Sequence, residues 1–144
     1  MNDLFTPLFD NALFFDWMTY QDLLACVYNN FLYTKLGLIL VLVPLILLIF
    51  FYKVWDPIRK QRFMWFICII IILIIGYFST REILYSNTCI LNLLGSYQPG
   101  DNNPDPKGFI FQMSMITSLY SLISSLIFTL IIKSFSTHNS HNPF

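Results

Sequence analysis

The 144 residues are 56% hydrophobic and 18% aromatic but only 11% charged, with eight basic side chains balanced by eight acidic ones and a mean hydropathy of +0.63. A soluble domain carries roughly 25% charged residues, so this composition argues against a water-soluble enzyme and against a disordered chain. A net charge of zero argues equally against a strongly basic nucleic-acid binder. What remains is a small integral membrane protein.

Residues 1–34 are not a simple polar tail. Leu4, Phe5, Leu8, Phe9, Leu13, Phe14, Phe15 and Trp17 alternate with Asp10, Asn11 and Asp16. The first twenty residues contain Asp3, Asp10 and Asp16 and no Lys or Arg, the reverse of a signal peptide's positive start, so the segment is expected to be retained. Thr19-x-x-Asp22 resembles a capping box and predicts a helix opening at Tyr20, with Leu23, Leu24, Val27, Phe31 and Leu32 at helical spacing. One or two short amphipathic helices in the outer interface are expected, the second feeding the first membrane span. Lipid-surface helices use Lys and Arg to attract headgroups, and none precedes Lys35 here. The acidic, aromatic surface therefore suits protein contact better than lipid contact.

Residues 36–52 (LGLILVLVPLILLIFFY) are uncharged and define the first span, taken as 35–53 with its flanks. About 20 residues at 1.5 Å each cross the roughly 30 Å of hydrocarbon. Pro44 lies mid-span, where it frees a carbonyl; its expected role is local shape rather than a gating hinge. Residues 54–62 form a tight turn through Asp56-Pro57 and, with Lys53, carry the bases Arg59, Lys60 and Arg62. These four set topology or touch anionic lipid, the former being the simpler reading. Trp55 and Trp65 flank the turn as expected interface anchors.

The second span covers 63–79 (uncharged through FMWFICIIIILIIGYF), with Gly76 marking a close helix contact. Residues 80–108 form the loop that follows, with a short helix expected from Thr80. Its Pro/Gly/Asn-rich stretch QPGDNNPDPKG is expected to be turn throughout. The third span covers 109–133, and residues 134–144 are a short polar tail holding both histidines, His138 and His141.

Charge orders these segments. The turn and the C-terminal flank hold Lys53, Arg59, Lys60, Arg62 and Lys133 against Asp56, net +4. The N-terminal segment and the 80–108 loop hold Lys35, Arg81 and Lys107 against seven acids, net −4. The positive-inside rule, five bases to three, predicts N-out and C-in. The expected location is a bacterial inner membrane, or a mitochondrial inner membrane with the matrix in place of the cytoplasm. The fold class is thus an all-α membrane protein of three transmembrane helices with an N-terminal interfacial segment.

Ser114, Ser118, Ser121 and Ser125 recur at spacings of four, three and four, on one face of the third span. Thr117, Ser124 and Thr129 broaden the stripe and Gln112 extends it outward. Small hydroxylated residues let helices approach and hydrogen-bond across the contact, so the stripe is expected to pack, within the chain or in an oligomer, rather than line a pore. Cys26 and Cys89 both fall on the expected outer side, where a disulfide would staple the N-terminal segment to the loop. Free thiols on an apolar face are the commoner state.

No Asp, Glu, Lys, Arg or His lies within the apolar runs 36–52, 63–78 and 109–132 that form the cores of the spans, which leaves no proton relay, haem ligand or intramembrane catalytic cluster. No catalytic residue, cofactor site, metal site or small-molecule substrate is expected. The expected partners are the lipid bilayer and other membrane subunits or further copies of the chain. The leading expectation is a non-enzymatic subunit that anchors or scaffolds a secretion, injection or other envelope-spanning machine, ahead of a respiratory complex. The alternative is a holin-like, membrane-permeabilising oligomer with the hydroxyl stripe facing a lumen.

Overall fold

Inside hydrocarbon an isolated chain has one way to satisfy its backbone, each N–H bonding the carbonyl four residues earlier. The computed structural model, which describes residues 2–10, 15, 17–52, 61–98 and 104–135, follows that rule. The described residues form six helices and no strand: α1 (Asn2–Phe9), α2 (Trp17–Asn29), α3 (Leu32–Phe50), α4 (Gln61–Tyr85), α5 (Thr88–Ser96) and α6 (Pro106–Phe135). Three of them, α3, α4 and α6, are long and apolar enough to cross a membrane, as expected for a multi-pass membrane protein.

These three helices pack against one another as a bundle. At one end Leu48 and Phe51 of α3 meet Trp65, Cys68, Ile69 and Ile72 of α4, with Phe128 and Ile132 of α6 packed against them. At the other end Leu32, Tyr33, Leu36 and Leu40 of α3 meet Leu84 of α4 and Phe109, Ile110, Met113 and Ile116 of α6. The two clusters fix the directions: α3 and α6 run the same way and α4 runs opposite.

Several boundaries differ from those read in the sequence, for identifiable reasons. The helix that holds the second span continues past 79 to Tyr85, with Thr80 and Leu84 buried. At 1.5 Å per residue, the 25 residues of α4 and 30 of α6 extend about 38 and 45 Å. Both exceed the hydrocarbon thickness, so their ends stand clear of it. The helix expected from Thr80 begins instead at Thr88, where the Asn87 side chain accepts hydrogen bonds from the N–H groups of Cys89 (3.0 Å) and Ile90 (3.3 Å). Nor is the Pro-rich stretch turn throughout. Asp105 accepts from the Lys107 N–H at 3.0 Å, and Pro106, which lacks an N–H, occupies the first helical position of α6.

The N-terminal segment also departs from expectation. Helix α2 starts at Trp17 rather than Tyr20, and Tyr20 is a break within it (φ −105°, ψ 16°). The aromatic residues expected to face a partner are largely turned inward: Phe9 is fully buried, Phe15 is 2% exposed and Phe5 is 9% exposed. Phe9 stacks on Tyr33 and meets Tyr120 edge-on, while Phe15 and Tyr20 pack on Phe109. A large ring gains more by burial against the bundle than by exposure at an interface. The result is a cap of α1, α2 and α5 seated on one end of the bundle.

Two features seat the cap. The Phe5 ring lies over Gly37 of α3, leaving no space for a Cβ. Between α2 and α3 the chain turns at Asn30 and Phe31, the latter in the left-handed region (φ 55°, ψ 28°) although it is not glycine. Gly37→Ala is therefore expected to lift α1 and destabilise the cap by about 1–3 kcal/mol. Faster proteolysis of the N-terminal segment with unchanged helix content is the readout, and parental resistance would show that α1 does not need Gly37. Phe31→Gly removes the left-handed penalty and is expected to raise the unfolding free energy by about 1 kcal/mol, measured by denaturant titration in detergent micelles.

Candidate functional site

Helix α6 is apolar on the outside and hydroxylated on the inside. Phe111, Met115, Leu119, Ile123, Leu126, Ile127 and Leu130 are exposed, whereas Ser114, Thr117, Ser121, Ser125 and Thr129 are buried. This inverts the amphipathicity of a soluble helix, and it suits a lipid surround in which helices associate through small residues and tight packing. The stripe read from the sequence therefore lies against α3 and α4 of the same chain. Gln112 and Ser118 are half-buried at its edge.

Each hydroxyl has a specific acceptor or donor. Ser114, Thr117, Ser121 and Ser125 donate to the carbonyl one turn back on α6, at 2.7, 2.9, 2.9 and 2.6 Å. Such back-bonding lets a hydroxyl sit in an apolar contact without an unmet donor. Ser118 donates across the contact to the Leu73 carbonyl of α4 at 3.2 Å. Beside it Gly76 lies so close that an added Cβ would be 3.1 Å from the Ser121 Oγ. Thr129 accepts from the Trp65 indole N–H at 3.3 Å. Trp65, expected as an interface anchor, is 5% exposed and held inside the bundle by that bond.

The most consequential contact joins two features that the sequence presented separately. Pro44 is buried within α3 and has no N–H, so the Leu40 carbonyl one turn earlier loses its helical donor. The Ser124 hydroxyl of α6 lies 3.0 Å from that Leu40 oxygen and 3.1 Å from the Ser121 carbonyl of its own helix, so its proton serves both. Pro44 is thus accommodated by a donor from a neighbouring helix, the arrangement membrane helices need when proline interrupts them. A proline at mid-span combined with a serine on a packing face was the available signal; only its partner was not.

At the cap, two asparagines position two cysteines. The Asn30 amide donates to the Cys26 carbonyl at 2.8 Å at the end of α2, and the Asn87 cap places Cys89 in the first turn of α5. Cys26 and Cys89 form a disulfide, Cα atoms 6.0 Å apart, that ties α2 to α5 across 63 residues of chain. Cys68 is free and buried in α4. The Asn2 amide donates to the Tyr28 carbonyl at 2.7 Å, and the Tyr28 hydroxyl donates to Asp3 at 2.6 Å, fastening α1 to α2. The hydrogen bond to Asp3 raises the Tyr28 phenol above its usual value, and burial raises the Asp10 carboxyl.

Of the four bases between the first two spans, Arg62 is exposed near the start of α4, while Lys53, Arg59 and Lys60, together with Trp55 and the expected Asp56-Pro57 turn, lie outside the described residues. Among the described residues no group of three or more His, Cys, Asp or Glu side chains is placed to hold a metal ion. No protein-family model, curated protein or solved structure matches the chain.

Ser124→Ala should leave the Leu40 carbonyl unmet and lower stability by about 1 kcal/mol. In a Pro44→Ala background, where the backbone N–H returns, the same change should be nearly silent. A double-mutant cycle on unfolding in mixed micelles measures the coupling, and additive effects would break the proposed link between the two residues. For the cap, denaturing alkylation should label one thiol without reductant and three with it; removing the bridge by Cys26→Ser with Cys89→Ser should destabilise by about 2–4 kcal/mol.

Proposed function

We propose that this chain is a non-enzymatic, multi-pass subunit that anchors a larger membrane assembly, oriented with its cap outside and the connection between α3 and α4 in the cytoplasm. Two independent arguments support the orientation. Lys and Arg favour the turn side by five to three, the asymmetry read by the positive-inside rule. The Cys26–Cys89 bridge belongs to the opposite end, and disulfides persist in oxidising compartments such as the periplasm. A bacterial inner membrane fits both arguments, and a mitochondrial inner membrane fits them with the matrix inside.

The observation that carries the structural role is the use of the hydroxyl seam within one chain. Its donors bond α3, α4 or α6 itself. The faces left outward on α6 are large and apolar, suited to lipid or to partner helices rather than to a water-filled lumen. This favours the scaffold over a holin-like, permeabilising oligomer. The spans 36–52, 63–79 and 109–132 contain no ionisable acid, base or histidine to handle a proton or ligate haem. Among assemblies, an envelope-spanning secretion or injection machine is therefore preferred to a respiratory complex.

The burial of Phe5, Phe9 and Phe15 narrows the surface offered to a partner. Leu4 and Phe31, at 71% and 66% exposed, remain outward together with Asp22 and Leu91. Purification in mild detergent is expected to recover co-migrating membrane subunits or a discrete oligomer. A clean monomer would overturn the scaffold reading. Induced expression in cells loaded with a reporter dye is expected to cause no leakage; rapid release would replace this reading with the permeabilising one.

A further inference from the structure

The ends of α4 and α6 on the cap side frame a cleft of about 160 Å³ lined by Tyr77, Arg81 and Tyr85 of α4 and Lys107, Ile110 and Phe111 of α6. Its position follows from helix length, since both helices outrun the hydrocarbon at this end. Tyr77 and Phe111, ring centroids 6.3 Å apart and edge to face, stand at the apolar margin. Arg81 lies one turn beyond Tyr77 on α4, and Lys107 one turn before Phe111 on α6. Ile110 is buried and forms the floor. The exposed Arg81 guanidinium sits 5.5 Å from the centre of the Tyr85 ring, a cation–π contact at the edge of the cleft.

The electrostatics of this cleft are unusual for the cap, which is acidic as a whole. Among the described residues, two cations and two phenols line it and no carboxylate does. Neither Arg81 nor Lys107 forms a salt bridge through its side chain with another described residue. The adjacent acids are otherwise placed: Asp105 accepts the Lys107 backbone N–H as the cap of α6, and Glu82 follows Arg81 on α4, a helical step of about 100° away from it. Two like charges facing one concavity call for an anion between them. An aromatic pair at the same mouth offers apolar cover to whatever chain that anion carries.

We propose that this cleft binds the phosphate of an anionic phospholipid headgroup, with Arg81 and Lys107 paired to the phosphate oxygens and Tyr77 and Phe111 flanking the first methylenes of the lipid. The proposal rests on α4 and α6 crossing a membrane and not on the scaffold role. It can therefore fail while that role stands. Headgroup phosphates lie at the level where tyrosines and arginines concentrate on membrane helices, which makes a lipid the favoured source of the anion.

Native mass spectrometry of the full chain, released from nanodiscs of equimolar phosphatidylglycerol and phosphatidylcholine, tests it. Each base near an anionic surface contributes roughly fivefold. The protein is therefore expected to retain phosphatidylglycerol over phosphatidylcholine by about tenfold or more. Arg81→Gln with Lys107→Gln should abolish the preference, and the charge-conserving pair Arg81→Lys with Lys107→Arg should keep it, which separates loss of the site from loss of the fold. Arg59→Gln with Lys60→Gln, which removes two charges from the opposite end, should leave it unchanged. Equal retention of both lipids overturns the proposal, as does a preference that survives Arg81→Gln with Lys107→Gln or disappears only with Arg59→Gln and Lys60→Gln. Displacement of the lipid by millimolar inorganic phosphate would assign the cleft to free phosphate and overturn the lipid source.

Discussion

The bundle depends on the rule that no backbone polar group can be left unmet in hydrocarbon. Pro44 breaks that rule locally by withholding a donor from the Leu40 carbonyl, and Ser124 restores it from another helix at 3.0 Å. The contact fixes the depth of α6 relative to α3. Within the same seam Ser118 bonds Leu73 of α4 and Thr129 accepts from Trp65, so α6 is held to both neighbours by polar contacts that do not depend on water. Because lipid tails are as apolar as the helices, burying leucine supplies little drive for association, and small residues that admit close backbones take its place. Gly76 against Ser121 is that principle at the contact of α4 with α6.

The cap obeys different physics. Its helices are held by the burial of large aromatic rings rather than by a hydroxyl seam. Phe9 and Phe15 reach into the open end of the bundle and meet Tyr33, Tyr120 and Phe109. Gly37 lets Phe5 approach α3 closely. Short helices such as α1 and α5, with eight and nine residues, are marginal alone. Their stability comes from these contacts, from the Asn87 cap and from the Cys26–Cys89 bridge. The bridge in turn makes the cap a single covalently closed unit.

Together these two regimes divide the surface by task. The outward side of α6 is large and apolar, from Phe111 to Ile131. Residues 1–34 and 80–108 hold seven of the eight acidic groups, yet where the cap meets the bundle Arg81 and Lys107 face one cleft. The proposed anchoring role would use such a division: a bundle that holds itself together through buried polar contacts, and a cap rigid enough to present a defined surface.

From the sequence alone, the three uncharged runs determined the helices and the membrane-spanning class, because length and hydropathy decide these without reference to neighbours. The serine spacing likewise determined that one face of α6 is polar. Other outcomes required the fold. Whether that face met another copy or the same chain could not be read from Ser114, Ser118, Ser121 and Ser125, since spacing defines a face but not its partner. Pro44 and Ser124 were each visible, but their pairing depends on helix depth across 80 residues of chain. The aromatic N-terminus looked like exposed surface because amphipathic periodicity does not say whether the apolar side meets lipid, a partner or the protein's own core. Asp105-Pro106 looked like a turn because the same residues that break a helix internally also start one. Local chemistry determined what each element is; only tertiary contact decided what each element touches, because both lipid and protein offer an apolar side chain nearly the same environment.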